Sequence, residues 1–255
     1  MEYLLSAVTD IGICKQKNED SLLVKKAVCN SHPVLLAVLC DGMGGLEKGE
    51  LASASLIRAF SGWFDAQLPE ILVSDFIERQ LWSSWDRLID TMNQKIAAYG
   101  KRNGLQLGTT VTAMLLFRDK YYIAHVGDCR IYELKDSIFQ LTKDQTLVQK
   151  DVDRGILTQE QAERDIRRSI LLQCVGASEK VLPVYRSGNL SKDTVYVLCC
   201  DGFRHLISSQ EIFEGFHFQI AADEESMRKQ AEKFIALNKK RGEKDNISVI
   251  VIRVS

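Results

Sequence analysis

Residues Val34 to Cys40 form an unbroken apolar run, bounded by Pro33 before it and by Asp41-Gly42-Met43-Gly44-Gly45 after it. A run of this length with no polar alternation reads as a strand buried on both faces. The chain repeats the design far downstream, where Val195-Tyr196-Val197-Leu198-Cys199-Cys200 runs into Asp201-Gly202. Each strand therefore delivers a carboxylate into a glycine turn at its end. Taken singly, an Asp-Gly pair is an ordinary turn dipeptide. Its meaning depends on what other acids end in the same kind of position.

The remaining pattern supplies the other elements. Strands are predicted at residues 3–9, 21–29 and 34–40, and a helix at 49–67 that opens on the small residues Ala52, Ser53, Ala54 and Ser55. Ser74 and Asp75 are N-cap candidates for a longer helix. Its apolar positions Phe76, Leu81, Trp85, Leu88, Met92, Ile96 and Tyr99 recur at helical spacing, and Arg102-Asn103-Gly104 ends it. This stripe predicts core packing rather than a ligand site. Further strands are expected at 109–117, 121–127, 130–134 and 138–142. Residues 145–175 then break the rhythm with two short helices, 146–153 and 158–165, the second opening on the capping box Thr158-Gln159-Glu160-Gln161. Strands at 181–186 and 194–200, helices at 209–215 and 223–240, and a last strand Ile247–Val254 complete the chain. With no regular strand–helix alternation, the pattern predicts an α+β fold with largely antiparallel sheets.

Composition narrows the classes. No Pro-, Ser- or Gly-rich linker divides the 255 residues, so 1–255 reads as a single domain. A net charge of −1, with both signs interspersed, argues against a nucleic-acid partner or an anionic membrane surface. The apolar runs are far too short for membrane insertion. Glu2 leads directly into a strand pattern without the marks of a signal peptide, and the expected location is cytoplasmic. Seven cysteines, an odd number without a C-x-x-C pair and mostly within apolar strands, read as reduced core thiols.

Two more acids fit the opening pattern. Asp128 follows the strand Tyr121-Tyr122-Ile123-Ala124-His125-Val126 after Gly127, and Asp245 precedes Asn246 and the last strand. Four aspartates at the edges of apolar strands would repel one another unless a cation neutralised them. Hard divalent cations take such oxygen ligands.

These positions belong to a longer series of motifs. Thr9-Asp10-x-Gly12, Asn18-Glu19-Asp20, Asp41-Gly42-Met43-Gly44-Gly45, Leu107-Gly108-Thr109-Thr110, Val126-Gly127-Asp128-x-Arg130, Leu141-Thr142-x-Asp144, Asp201-Gly202 and Asp245-Asn246-x-Ser248 occur in that order. Across essentially its whole length the chain resembles the metal-dependent Ser/Thr protein phosphatases of type 2C (the PPM family), in their bacterial form. The resemblance implies a four-layer αββα sandwich, two mainly antiparallel sheets flanked by helices, with a pair of Mn²⁺ or Mg²⁺ ions at one end. It implies hydrolysis of phosphoserine and phosphothreonine in proteins by a water or hydroxide bridging the two ions, and so a partner Ser/Thr kinase whose phosphorylated proteins are the substrates.

Carried over by position, Asp41 resembles the carboxylate that bridges both ions, the Gly42 carbonyl a ligand to one, and Asp201 and Asp245 ligands to the other. Asp128 is similar to the ligand of a third ion, helped by Asp201. Glu19 and Asp20 resemble the acidic pair behind the metal-bound waters, and the 145–175 insert resembles the flap beside the cleft.

The chain departs from the family at several places. Lys15 stands where an arginine ordinarily grips the substrate phosphate, which keeps the charge and loses the bidentate fork. Met43 stands where many eukaryotic relatives carry a histidine, and bacterial relatives commonly carry methionine there. Leu46-Glu47-Lys48-Gly49 and Gln145 are further departures, beside the cleft and the flap. His125 is expected to be a satisfied core or cleft-edge residue, and Arg204 and His205 to be structural. A pseudophosphatase, the same fold used as a binding or sensing module, is the alternative; retention of all four aspartates favours the enzyme. A two-metal nuclease would require a basic groove that the charge pattern lacks.

Overall fold

The computed structural model describes residues 1–43, 48–73 and 77–255. The strands are β1 (Tyr3–Asp10), β2 (Ser21–Cys29), β3 (His32–Cys40), β4 (Val111–Phe117), β5 (Lys120–Val126), β6 (Arg130–Leu134), β7 (Ile138–Gln140), β8 (Val184–Asn189), β9 (Thr194–Cys199) and β10 (Ile247–Val254). The helices are α1 (Gly49–Ala66), α2 (Leu68–Leu72), α3 (Ile77–Asn103), α4 (Leu147–Asp153), α5 (Gln159–Arg164), α6 (Asp201–Arg204), α7 (Ser209–Phe216) and α8 (Glu224–Arg241). The N-cap candidates Ser74 and Asp75, with Phe76, lie outside the described residues, as do Gly44, Gly45, Leu46 and Glu47.

Two five-stranded sheets form, in the orders β1-β10-β9-β6-β7 and β2-β3-β4-β5-β8, and every pairing is antiparallel. The period-two geometry of a strand explains why their central members are apolar throughout. In β3, Val34, Leu36, Val38 and Cys40 face α1, α2 and α3, while Leu35 and Ala37 enter the layer between the sheets. In β9, Val195, Val197 and Cys199 pack with Phe203, Phe216 and Phe234 on the helical side, and Tyr196 and Leu198 face the other sheet. Helices thus cover both outer faces, and the fold is an α+β four-layer sandwich. Among the described residues no helix is long and apolar enough to cross a membrane.

Most predicted elements stand within a residue or two of their expected bounds, and the differences have causes. The expected strand at 181–186 forms instead at Val184–Asn189, because Pro183 has no N–H to donate to a ladder. The strand expected from residue 109 starts at Val111, since the backbone of Thr109 bonds to Val175 and that of Thr110 to Asp41. Asp201-Gly202 does not turn; it opens the short helix α6, which the pattern did not show. In α3, Leu81, Trp85 and Ile96 are core as expected, whereas Tyr99 is 40% exposed. The capping box predicted at Thr158 and Gln161 is present in full. All seven cysteines are free; Cys14 is exposed, Cys29 half-buried and the other five buried.

Candidate metal centre

The four aspartates reach one place from four chain segments. Asp41 follows β3, Asp128 follows β5, Asp201 follows β9 and Asp245 precedes β10. Antiparallel pairing brings these strand ends to the same end of the sandwich. There Asp41, Asp128, Asp201 and Asp245 line a cavity of about 170 Å³, together with Lys15, Met43, Thr110, Ser169 and Leu171. Ser169 and Leu171 come from the 145–175 insert, which therefore forms part of the cavity wall.

The glycine and threonine motifs fix the carboxylates. Asp41 N–H donates to Thr110 Oγ1 at 2.9 Å, and the Asp41 carbonyl accepts from Thr110 N–H at 2.8 Å and Thr109 Oγ1 at 2.9 Å. A Cβ on Gly42 would stand 2.6 Å from both the Glu19 and the Gly49 carbonyl oxygens, so only glycine lets these loops approach. Gly12 adopts φ +80° against the backbone of Asp245, which is the left-handed conformation that glycine tolerates. Asn246 Oδ1 accepts from Glu19 N–H at 2.9 Å, while its Nδ2 donates to the Ile11 and Lys17 carbonyls at 3.0 and 3.1 Å. Asn246 thereby clamps the loop that carries Lys15 and Glu19 against the loop that carries Asp245.

Electrostatics shows what the arrangement is suited to hold. Burial, and then the charges of Asp20, Asp201, Asp128 and Asp245, push Asp41 well above the usual carboxylate range. Burial raises Asp20 to about 7, with Asp201 and Asp245 adding to the rise against hydrogen bonds from Ser248 and Cys200. Burial and Asp201 raise Asp128 to about 7, against the opposing charge of Arg204. Glu19 is raised as well, chiefly by burial. Asp20 Oδ2 is buried without a hydrogen-bond partner. Crowded, partly desolvated oxygen donors of this kind fit hard divalent cations, whose charge would make every one of these acids ionise.

Lys15, the predicted phosphate contact, lies at the cavity and is bound to acids there. Its Nζ is 2.8 Å from Asp245 Oδ1 and 3.7 Å from Glu19 Oε2. Burial opposes its charge, but Asp245, with Glu19 and Asp41, outweighs burial and the lysine is held above its ordinary value.

Arg204 and His205 are structural supports beneath the cluster, as expected, whereas sequence reasoning gave no such role to Arg130, Asp144 or Gln145 and missed Glu243. Arg130 makes a bidentate pair with Asp144 at 2.8 Å for each bond, and Arg204 Nη2 reaches Asp144 Oδ2 and the Asp128 carbonyl, both at 3.1 Å. His205 stands between Asp201 Oδ2 at 3.4 Å and Glu243 Oε2 at 3.5 Å. Glu243 carried no pattern that could have marked it. Gln145 accepts from Gly127 N–H at 2.9 Å and donates to the His125 carbonyl at 3.2 Å, so it anchors the turn before Asp128. His125 itself is buried and satisfied, between Thr112 Oγ1 at 2.9 Å and the Lys143 carbonyl at 3.1 Å.

Fold and site define the class: a four-layer sandwich with a carboxylate cluster at one end of its sheets. Protein phosphatase 2C is the family that matches, over residues 14–236, and the chain belongs to it. The serine/threonine protein phosphatase PstP of Mycobacterium tuberculosis is 31% identical over 252 residues, 98% of this chain. The chain spans only 44% of the length of that relative. The serine/threonine phosphatase stp of Listeria innocua is 30% identical over 251 residues, covering 96% of this chain and 93% of its own. A crystal structure of the PstP catalytic domain in complex with two manganese ions superposes with a TM-score of 0.80 at 29% identity, over 99% of both chains.

Proposed function

We propose that this chain is a metal-dependent protein phosphatase that removes phosphate from phosphoserine and phosphothreonine in proteins. The observation that carries the reading is the convergence of Asp41, Asp128, Asp201, Asp245 and Lys15 on one cavity at the end of the sandwich. Two divalent ions, Mn²⁺ or Mg²⁺, would be held by Asp41, the Gly42 carbonyl, Asp201 and Asp245. Such ions supply positive charge to the phosphoryl oxygens and lower the pKa of water to near neutrality. Asp128 is the candidate ligand for a third ion.

The chain's own residues position and neutralise. Lys15, freed from Asp245 when that acid takes a cation, is placed to pair with a substrate phosphate oxygen. Glu19 and Asp20 sit behind the ligands as acceptors for bound waters. Arg130, Arg204, Thr110 and Asn246 keep Asp128, Asp41 and the Asp245 loop from moving apart, and this positioning matters because displacing charge on phosphorus depends on preorganised groups. No cysteine nucleophile is needed. The reading takes 1–255 as one catalytic domain, acting in the cytoplasm on the products of a Ser/Thr kinase.

The test is phosphate release from a phosphothreonine peptide with and without Mn²⁺, comparing the parent with Asp201→Asn. Turnover that requires Mn²⁺ and disappears in the variant is the expected result. A folded parent with no turnover across several peptides and metals would overturn it in favour of a binding module.

A further inference from the structure

Beneath the carboxylates lies a sulfur donor that the proposed hydrolysis does not use. Among the described residues, Asp20, Asp41 and Cys200 form a group of three ligand-bearing side chains with one donor atom of each within 4.8 Å of the others. Asp20 and Cys200 are buried, and Asp41 is half-buried at the cavity. Asp20 Oδ2 has no hydrogen-bond partner. Cys200 Sγ is held in place by the Ser248 N–H at 3.2 Å and the Asn246 carbonyl at 3.4 Å.

The donor set decides which cation such a group would prefer. Mg²⁺ and Mn²⁺ favour carboxylate, carbonyl and water oxygen, whereas a thiolate draws softer ions. Zn²⁺ accepts mixed sulfur and oxygen ligands in tetrahedral geometry, and three protein donors leave a fourth position for water. Two carboxylates and one thiol within this span supply the three donors, and the buried Asp20 Oδ2 has no hydrogen bond that a cation would have to displace.

We propose that Asp20, Asp41 and Cys200 form a second cation site, selective for thiophilic divalent ions such as Zn²⁺ and Cd²⁺. On binding, the Sγ–H bond breaks, its proton and any carboxyl protons of Asp20 and Asp41 pass to solvent, and Sγ–metal and carboxylate–metal bonds form; no electrons are exchanged. The incoming cation supplies the charge that stabilises the thiolate. Asp41 belongs to both sites. A thiophilic ion therefore withdraws it from the hard cations and inhibits the enzyme, a consequence that rests on the phosphatase reading, whereas the site itself does not.

Metal binding, not turnover, tests the site. In a Cys14→Ser Cys29→Ser background, which removes the two cysteines with appreciable exposure, Cd²⁺ is titrated while the ultraviolet sulfur-to-cadmium band is followed. Zn²⁺ is titrated by calorimetry in two buffers of different ionisation enthalpy. The expected result is a band that saturates at one equivalent, with at least one proton released per Zn²⁺. Adding Cys200→Ser abolishes the band and weakens Zn²⁺ at least about tenfold, while Mn²⁺ affinity stays within about twofold. Asp20→Asn, which keeps the sulfur, weakens Cd²⁺ by a similar factor and serves if the serine variant does not fold. No band in the background protein, an undiminished band after Cys200→Ser, or unchanged Cd²⁺ affinity in Asp20→Asn would each overturn the assignment. None of these readouts depends on phosphatase activity.

Discussion

Lys15 Nζ lies 2.8 Å from Asp245 Oδ1, so the one basic side chain among the described residues lining the cavity neutralises a predicted metal ligand. A divalent cation held by Asp245 would compete with that ion pair and leave the ammonium group available to an anionic substrate. Lys15→Ala is expected to lower kcat/KM for a phosphopeptide by roughly 10- to 100-fold, the worth of one charged hydrogen bond. The loss should fall mainly on KM, and Mn²⁺ affinity should not fall. Lys15→Arg should recover most of the loss; steady-state kinetics with a Mn²⁺ titration would show whether it does.

Asp144 is the shared anion of two buried guanidinium groups, with its side chain 8% exposed. Asp144→Asn leaves Arg130 without its charge partner and Arg204 with only Asp128, 3.9 Å away, and breaking a buried pair costs about 3–5 kcal/mol. Urea unfolding should register that loss. Because Arg204 also bonds the Asp128 carbonyl, a cost below about 1 kcal/mol would mean the network is not holding this end of the sandwich together.

Metal stabilisation should grow with pH. Asp20 and Asp128 both titrate near 7 in the metal-free fold, above their ordinary 3.8. A raised folded pKa contributes stability below the unfolded value that is lost as pH climbs through the folded one. The metal-free protein therefore loses stability between about pH 4 and 7 from these groups, while a bound cation holds the same acids ionised without that loss. At pH 7.5, Mn²⁺ at about 100 times its Kd should raise Tm by roughly 5–10 °C. At pH 5.5, where protons compete, the same concentration should give less than about half of that shift. Thermal unfolding with and without Mn²⁺ at the two pH values measures it; an equal shift at both would contradict the proton competition.

His125 responds in the opposite direction. Burial lowers it to about 4 from 6.5, and it is held neutral between Thr112 and the Lys143 carbonyl. The unfolded chain binds this proton first, so stability is intact above about pH 6.5 and falls by up to about 3 kcal/mol as pH drops to about 4. His125→Asn should flatten that part of the metal-free stability profile relative to the parent, although it is less stable at pH 7. Urea denaturation of both proteins between pH 4 and 7 makes the comparison, and parallel profiles would exclude His125 as the source.

Much of the fold is legible in the chain because burial imposes period. The unbroken runs at Val34–Cys40 and Val195–Cys199 could only be strands covered on both faces, and their helical and inter-sheet sides then follow from alternation. Asp41, Asp128, Asp201 and Asp245 were visible as acids at strand edges, and the ordered motifs around them marked the family. Short elements escaped because a single turn such as α6 has no periodicity to show. The start of β8 after Pro183 is fixed by its pairing with β5, a partner that no local pattern shows.

The amino-acid sequence by itself determined the element types, the apolar layers and the identity of the acids. These depend on local periodicity and on chemistry that each residue carries wherever it lies. The tertiary structure alone decided the partnerships: Lys15 with Asp245, Arg204 with Asp144, His205 with Glu243, and Cys200 with Asp20 and Asp41. Each joins side chains from separate segments, or turns a near neighbour toward them. Their charges and distances exist only after sheet pairing has brought four strand ends to one point, and no local pattern encodes that meeting.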